Sequence, residues 1–324
     1  MKRFRFYYFI LVLLLAIPVN SKRVEAMEFT YVDVSQQIYS YDAMVEDIAL
    51  LAANHEGFFS YESVATTSQG RNVWLIKFGN LQAENKIFVT GSIHAREYMC
   101  SQLIMRMLEE YTLHYDIYAG AFDSVCFYIM PMVNPDGVTI SQYGSAGATQ
   151  EYTKNWLNGF VYSGISLTQI KANANGVDLN RNFPVGFCAA DKQACAPSLA
   201  YYPGTEPLSE PETLAIARIL YENHFAMGIN YHSMGNIVYY GAKTNSKEVD
   251  EACKAMANVA HELTGYKREY CGKAIGSLAD YFGAVQQSPS ITLEIGRANP
   301  VPISQFDEIY RKNVALWPTF ANIY

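Results

Sequence analysis

The sequence lacks several features that would place it in a common class of protein. Its 324 residues contain 24 Lys and Arg against 31 Asp and Glu, and this acidic balance argues against a nucleic-acid partner. The six cysteines form no Cys-x-x-Cys pair, which disfavours a zinc ribbon and a thioredoxin-like redox motif. No repeat, low-complexity tract or long linker interrupts the chain, so we expect one globular domain.

An apolar run long enough to cross a bilayer is also missing. Residues 8–19 are apolar, whereas a transmembrane helix needs roughly 20 such residues. A basic segment precedes this run, and small residues around Ala26 suit a signal peptidase. The pattern predicts a signal peptide over residues 1–26 and a mature domain over residues 27–324, exported and without a membrane span after cleavage.

Apolar runs bounded by turn residues alternate with longer segments of helical period, which is typical of an α/β domain with a largely parallel sheet. The pattern predicts helices over residues 44–54, 97–111, 210–223, 247–263 and 304–323. It predicts strands over residues 72–78, 86–93, 127–133, 226–231 and 291–295. Residues 141–207 are rich in Gly, Ser, Asn and Pro and are expected to form a long irregular segment, of a length that is usually functional.

Four side chains at predicted strand ends point to metal-dependent chemistry. His94 and Glu97 are three residues apart where a strand gives way to a helix, so both can face one cation. His232 ends another predicted strand, and the carboxyl ends of neighbouring strands converge in an open α/β sheet. Two His and one Glu form a zinc set that leaves one position open. Glu294 ends an apolar strand, where a carboxylate is costly to bury without a partner or a task.

Six short blocks occur in the order found in zinc carboxypeptidases of the carboxypeptidase A type, and the chain resembles that family. The blocks are His94-x-x-Glu97, Asn134-Pro135-Asp136-Gly137, Gly176-Val177-Asp178-Leu179-Asn180-Arg181-Asn182-Phe183, Tyr202-Pro203-Gly204 with Ser209-Glu210-Pro211-Glu212, His232-Ser233 and Leu293-Glu294. Residues 171–173 and 299–310 look like the bacterial γ-D-glutamyl-L-diamino-acid endopeptidases within this family. The resemblance implies a three-layer α/β/α sandwich around a mixed, mainly parallel eight-stranded sheet, with zinc at the carboxyl edge.

The resemblance also implies a catalytic set. His94, Glu97 and His232 would bind one zinc ion, and Glu294 would be the general base that takes a proton from the water activated by zinc. Lys171 aligns best with the family's oxyanion-stabilising arginine. A lysine supplies the positive charge there but not the fork of donors that a guanidinium offers.

A set of substrate-binding residues follows from the same resemblance. Asn180 and Arg181 match the pair that holds the terminal carboxylate of the substrate, and a guanidinium suits this planar anion because it can bind both oxygens. Ser233 completes one of the matched blocks, and Tyr270 is the candidate for the mobile tyrosine of the digestive enzymes. Ala279 occupies the specificity position, where it supplies no carboxylate to select Lys or Arg side chains.

The activity implied by the resemblance is hydrolysis of the γ-D-glutamyl to meso-diaminopimelate bond in peptidoglycan stem peptides. An alternative is a general zinc carboxypeptidase that releases C-terminal neutral or aromatic residues from peptides. A catalytically silent wall-binding module is disfavoured because all three predicted ligands and the base are present. We expect a secreted monomer in the cell envelope of a bacterium, with a stem peptide or a small peptide as its partner.

Cysteine pairing depends on geometry that a sequence does not contain. Cys188 and Cys195 bracket a short loop, and export would favour a disulfide between them. A bond between Cys253 and Cys271 is plausible. The remaining two cysteines are expected to be buried thiols: Cys100 and Cys126.

Overall fold

The computed structural model of the protein describes residues 31–53, 55–242 and 244–323. The signal peptide expected over residues 1–26 lies outside the described residues. Among the helices of the described segments, none combines the length and the apolar character that crossing a membrane requires.

One mixed sheet forms the centre of the described chain. Its strands are β1 Phe59–Thr66, β2 Asn72–Gly79, β3 Asn85–Gly91, β4 Val125–Met130, β5 Met227–His232, β6 Ile237–Tyr240, β7 Lys267–Tyr270 and β8 Ser290–Glu294. The eight strands are ordered β1-β2-β4-β3-β5-β8-β6-β7. The central neighbours β4-β3-β5-β8 are parallel, as are β6 and β7, whereas β1-β2, β2-β4 and β8-β6 are antiparallel. The predicted mixed, mainly parallel eight-stranded sheet is therefore confirmed.

Helices cover both faces of this sheet. They are α1 Tyr41–Ala53, α2 Met99–Leu113, α3 Tyr115–Phe122, α4 Pro135–Tyr143, α5 Glu151–Tyr162, α6 Pro211–Glu222, α7 Lys247–Thr264, α8 Leu278–Gln286, α9 Phe306–Asn313 and α10 Leu316–Ala321. On β3, Ile87 and Val89 point into the core shared with α1, α2, α7, α9 and α10, whereas Phe88 points into the core shared with α6 and α8. This alternation follows from the two-residue period of a strand and produces the expected α/β/α layers.

Two stretches differ from what the sequence predicts. Residues 141–207 are not irregular throughout, because α5 lies among them, together with short 3-10 turns. The single helix expected over residues 304–323 is divided into α9 and α10. Pro318 has no backbone N–H to donate to Val314. The Val314 carbonyl instead accepts a hydrogen bond from the Tyr111 hydroxyl at 2.5 Å, which satisfies it where the helix is interrupted.

The strand order brings the loops that carry the candidate residues to one edge. β3, β5 and β8 are adjacent and parallel, so their carboxyl ends point the same way. In the register of β5 and β8, His232 lies opposite Glu294. At the same edge, Asn134 caps α4 by accepting a hydrogen bond from the Gly137 backbone N–H at 2.9 Å, with Pro135 in the first turn.

The cysteines do not pair as the sequence suggested. All six have free thiols in the structure, so neither the preferred Cys188–Cys195 disulfide nor a Cys253–Cys271 bond is present. Backbone hydrogen bonds hold the loop around Cys188 instead, from Ala189 to Gly186 at 2.9 Å and from Ala194 to Tyr201 at 3.0 Å. Cys100 and Cys126 are buried thiols, as expected.

Candidate active site

Three buried side chains meet at the carboxyl edge of the sheet: His94 and Glu97 from the segment between β3 and α2, and His232 from the end of β5. The distance between His94 Nδ1 and Glu97 Oε1 is 2.9 Å, and that between His232 Nδ1 and Glu97 Oε2 is 3.0 Å. One donor atom from each residue lies within 4.8 Å of the others. In the segments that the structure describes, no other group of three His, Cys, Asp or Glu side chains converges in this way.

This donor set suits zinc. Catalytic zinc is commonly bound by two His and one Glu at about 2.0–2.2 Å, so the donor atoms around a tetrahedral ion lie roughly 3.3 Å apart. The separations of 2.9 and 3.0 Å between the histidine nitrogens and Glu97 are close to this value. Burial alone would raise the pKa of Glu97, but the charges and hydrogen bonds of His94 and His232 hold it well below the ordinary value. The carboxylate is therefore anionic, as a cation site requires.

Asp178 lies behind one of these histidines and was not among the residues predicted for the site. Its Oδ1 atom lies 3.4 Å from His94 Nε2, while its Oδ2 atom lies 3.3 Å from Arg181 Nε and accepts a hydrogen bond from the Tyr201 N–H at 3.1 Å. Burial opposes ionisation of Asp178, but the contact with His94 and the charge of Lys171 are among the causes that hold its pKa well below normal. Carboxylates behind metal-binding histidines commonly fix the ring in this way.

The sequence contained a signal for Asp178. The residue stands two positions before Asn180 in one of the matched blocks, and its immediate neighbours, Val177 and Leu179, are both apolar. A carboxylate between two apolar residues is costly to bury without a partner.

Glu294 stands beside the three converging residues with a different electrostatic balance. Burial raises its pKa, and the negative charge of Glu97 acts in the same direction, while the charges of His232, His94 and Lys171 act against them. The net pKa lies above the ordinary glutamate value. A carboxylate with a raised pKa is better able to accept and later release a proton at neutral pH.

A cavity of about 390 Å³ opens above these residues. It is lined by His94, Arg96, Glu97, Gln169, Lys171, Ser233, Met234, Glu294 and Asn299. Lys171 and Ser233 were expected at the site, and the structure places both there. Arg96, Gln169 and Asn299 were not expected. Arg96 stands in sequence between the expected ligands His94 and Glu97, whereas Gln169 and Asn299 reach the cavity through contacts between loops that are distant in sequence.

Asn180 and Arg181 lie next to the cavity rather than in its lining. Asn180 Oδ1 accepts a hydrogen bond from the Leu278 backbone N–H at 3.0 Å, at the start of α8. Arg181 contacts Asp178, its guanidinium carbon lies 5.1 Å from the centre of the Tyr201 ring, and its buried Nη1 atom has no hydrogen-bond partner among the described residues.

Tyr270 and Ala279 lie further from the converging side chains. The Tyr270 hydroxyl donates a hydrogen bond to Asp250 Oδ2 at 2.8 Å, and Tyr270 does not line the large cavity. Ala279 lines a second cavity of about 20 Å³, together with Cys271, Asn245 and the β8 residue Thr292. This small cavity lies along β8, the strand that ends at Glu294.

A model of the zinc carboxypeptidase family matches residues 44–315. The chain belongs to the zinc carboxypeptidase family. It is thus a zinc metallopeptidase of the carboxypeptidase type, as the six sequence blocks predicted, and the family accounts for a metal-type donor set at the carboxyl edge of the sheet.

This zinc carboxypeptidase is similar to bacterial and animal proteins. It is 28% identical over 292 residues to the γ-D-glutamyl-L-diamino acid endopeptidase 1 of Lysinibacillus sphaericus, covering 87% of this chain and 72% of the relative. It is 30% identical over 267 residues to the uncharacterized protein YqgT of Bacillus subtilis strain 168, covering 78% and 69%. Its fold resembles that of thrombin activatable fibrinolysis inhibitor with a TM-score of 0.71, at 19% identity, over 91% of this chain and 78% of that structure.

Proposed function

We propose that the protein is an exported peptidase that hydrolyses the γ-D-glutamyl to meso-diaminopimelate bond of peptidoglycan stem peptides. The observation that carries this proposal is the likeness to the Lysinibacillus sphaericus endopeptidase, which extends over 87% of the chain. The geometry of the site supports a hydrolytic mechanism for whichever peptide binds. We further propose that the enzyme acts as a monomer in the cell envelope of a bacterium.

His94, Glu97 and His232 would hold one zinc ion, and Asp178 would keep the His94 ring in place through its Nε2 atom. When bound, zinc would polarise the scissile carbonyl and make water a stronger nucleophile at neutral pH. The contribution of the three residues is to fix the position of this charge at the carboxyl edge of the sheet.

Glu294 would accept a proton from the attacking water and deliver it to the nitrogen of the leaving diamino acid. Its position beside His232 in the strand register places the carboxylate next to the converging donors. Its raised pKa suits both halves of this transfer, because the protonated form is stable enough to carry the proton. Lys171, which lines the same cavity, would stabilise the negative charge that develops on the carbonyl oxygen.

Asn180 and Arg181 would bind a carboxylate of the leaving diamino acid. The unpartnered, buried Nη1 atom of Arg181 supports this role, because a substrate carboxylate would satisfy it. Ser233 lines the cavity and would contact the substrate backbone. Ala279 would face the side chain of the leaving residue, and Tyr270 would contact it after leaving Asp250.

The test is a competition between two substrates. Zinc-loaded enzyme is mixed with equal amounts of L-Ala-γ-D-Glu-meso-diaminopimelate and an N-blocked dipeptide that ends in Phe, and the products are identified by mass spectrometry. Release of diaminopimelate without Phe supports the proposal. Release of Phe alone would contradict it and favour a general carboxypeptidase, an alternative that Ala279 allows because it leaves the specificity position uncharged.

A further inference from the structure

Arg96 lies at the edge of the large cavity, and no acidic side chain among the described residues forms an ion pair with its guanidinium. In the described part of the chain, its guanidinium makes only two long hydrogen bonds, from Nη1 to the Gln169 carbonyl at 3.5 Å and to Gln169 Oε1 at 3.3 Å. Its Nε atom is buried and has no hydrogen-bond partner among these residues. A buried N–H donor without an acceptor costs free energy. Its position beside a substrate cavity therefore indicates that a bound ligand supplies the acceptor.

The backbone holds Arg96 at this place. Its N–H donates to the Ile170 carbonyl at 2.9 Å, and the Ala95 N–H donates to the Lys171 carbonyl at 3.2 Å. These two bonds fix the segment that carries Arg96 against the segment that carries Lys171. The main chain therefore brings the residues that carry both cations to one cavity.

A row of polar contacts, here called the polar rim, continues from Arg96 across the cavity edge. Gln169 Nε2 donates to the Asn299 carbonyl at 2.9 Å, and Asn299 Nδ2 donates to the Ser233 carbonyl at 2.7 Å. The polar rim thus connects Arg96 to the residue that follows His232. It supplies hydrogen-bonding groups but no carboxylate that could neutralise the guanidinium.

Lys171 and Arg96 lie near different residues of the cavity. Lys171 lines the cavity together with Glu97 and Glu294, at the reacting centre. Arg96 lines the same cavity, where its guanidinium contacts Gln169. Arg181 contacts Asp178 and, in the proposed function, serves the carboxylate of the leaving diamino acid. Arg96 is therefore the cation available to a part of the substrate that does not react.

The proposed substrate carries a group of the required chemistry. A γ-linked D-Glu uses its side-chain carboxyl in the scissile amide, so its α-carboxylate stays free on the acyl side, two methylenes and the α-carbon away from the reacting carbonyl. In an ordinary α-peptide, a carboxylate stands at this distance only when the residue before the scissile bond is Glu. We propose that Arg96 binds this α-carboxylate and selects γ-D-glutamyl substrates, an inference that rests on the proposed function. A guanidinium can bind both carboxylate oxygens with charge-assisted hydrogen bonds.

The test compares two substrates that differ only at this group: L-Ala-γ-D-Glu-meso-diaminopimelate and its analogue in which the α-carboxylate is an α-carboxamide. We expect the wild-type kcat/KM to be about 10- to 100-fold higher for the carboxylate, the usual effect of losing a charged hydrogen-bonded partner. In Arg96→Gln, kcat/KM for the carboxylate should fall until the ratio approaches unity. Arg96→Lys should retain part of the preference, because the charge remains without the fork.

The control is Arg218→Gln, which removes the same charge from an exposed position on α6 and should keep the wild-type ratio. A second readout is calorimetric binding of the products L-Ala-D-Glu and L-Ala-D-isoglutamine, where Arg96→Gln should weaken only the first. Equal wild-type rates on both substrates, or an unchanged ratio in Arg96→Gln, would overturn the inference while leaving the proposed function intact. Hydrolysis of neither substrate would overturn both.

Discussion

Two groups of buried carboxylates have pKa values that are shifted in opposite directions. At the carboxyl edge of the sheet, Glu97 and Asp178 are in contact with His94 and His232, and their pKa values are held well below normal. The second group, here called the α6 cluster, consists of Asp136, Glu210 and Glu212 near the start of α6. There burial raises the pKa of Asp136 and raises that of Glu212 to about 8.

The α6 cluster is rich in amide donors but poor in positive charge. Glu210 Oε2 accepts hydrogen bonds from Asn173 Nδ2 at 2.7 Å and from Asn175 Nδ2 at 2.8 Å. Arg71 Nη1 lies 2.9 Å from Asp136 Oδ1. Glu212 is 1% exposed, and one of its carboxyl oxygens has no partner among the described residues.

The pKa values of the two groups differ because of the charges of their neighbours and not because of the depth of burial. Imidazole rings and Lys171 surround the first pair and keep both carboxylates anionic, as a cation site requires. In the α6 cluster, burial and the charges of Glu210 and Asp136 act together on Glu212, so this side chain holds a proton at neutral pH. Glu97 and Asp178 can therefore serve a cation site, whereas Glu212 is a neutral hydrogen-bonding side chain of the core.

The largest expected effect concerns Glu294, the carboxylate that stands beside His94, Glu97 and His232. We expect Glu294→Gln to lower kcat by about 10²- to 10⁴-fold, because an amide cannot accept the proton that general base catalysis transfers. The measurement is kcat on the preferred substrate together with zinc content and circular dichroism, both of which should be unchanged. Glu222→Gln, an exposed carboxylate at the end of α6, is the matched control. A Glu294→Gln enzyme with nearly full activity would contradict the mechanism.

A second prediction tests the neutral state of Glu212 through the pH dependence of stability. The fold raises the pKa of this carboxyl from an ordinary value of 4.5 to about 8, so the native state binds the proton more tightly than the unfolded chain. Stability from this group is fully present below pH 4.5 and is lost as the pH rises towards 8. Glu212→Gln cannot ionise, so from pH 5 to 8 it should gain on the order of 3 kcal/mol of unfolding free energy relative to wild type.

Chemical denaturation of both proteins at the two pH values measures this change. The exposed Glu222→Gln on the same helix should follow the wild-type curve. Parallel curves for wild type and Glu212→Gln would mean that Glu212 is ionised in the native state. The contrast between the two buried groups would then be lost.

The sequence predicted the parts of the fold that depend on burial. Strand β4 is buried along its whole length and appears as a continuous apolar run. Strand β5 is equally buried and was predicted although it contains Asn230, and the site residue His232 stands at its end. The edge strand β7 was missed because all four of its residues are exposed and carry no apolar pattern. The helix α5 was missed because only Thr153 and Leu157 are buried, which is too few to reveal a helical period.

The sequence predicted one part of the candidate site and not the other. The convergence of His94, Glu97, His232 and Glu294 follows from strand order, which motif order and the α/β pattern indicate. The polar rim does not, because Gln169 and Asn299 are 130 positions apart and meet only through tertiary contacts. The missing Cys188–Cys195 bond has the same origin, since proximity in sequence does not fix the geometry of two side chains.

The smallest expected effect concerns Asp178, whose Oδ1 atom lies 3.4 Å from His94 Nε2. It tests whether the charge of this second buried carboxylate contributes to metal binding. Asp178→Asn keeps the shape of the side chain and removes its charge, so the ring of His94 loses an anionic partner. We expect zinc affinity to fall by about 10- to 100-fold, the usual cost of changing a residue behind a metal ligand. Competition with a chromophoric chelator measures this affinity. Asp191→Asn, an exposed carboxylate paired with Lys273, should bind zinc like the wild type. Unchanged affinity in Asp178→Asn would mean that Glu97 alone supplies the anionic charge that the site needs.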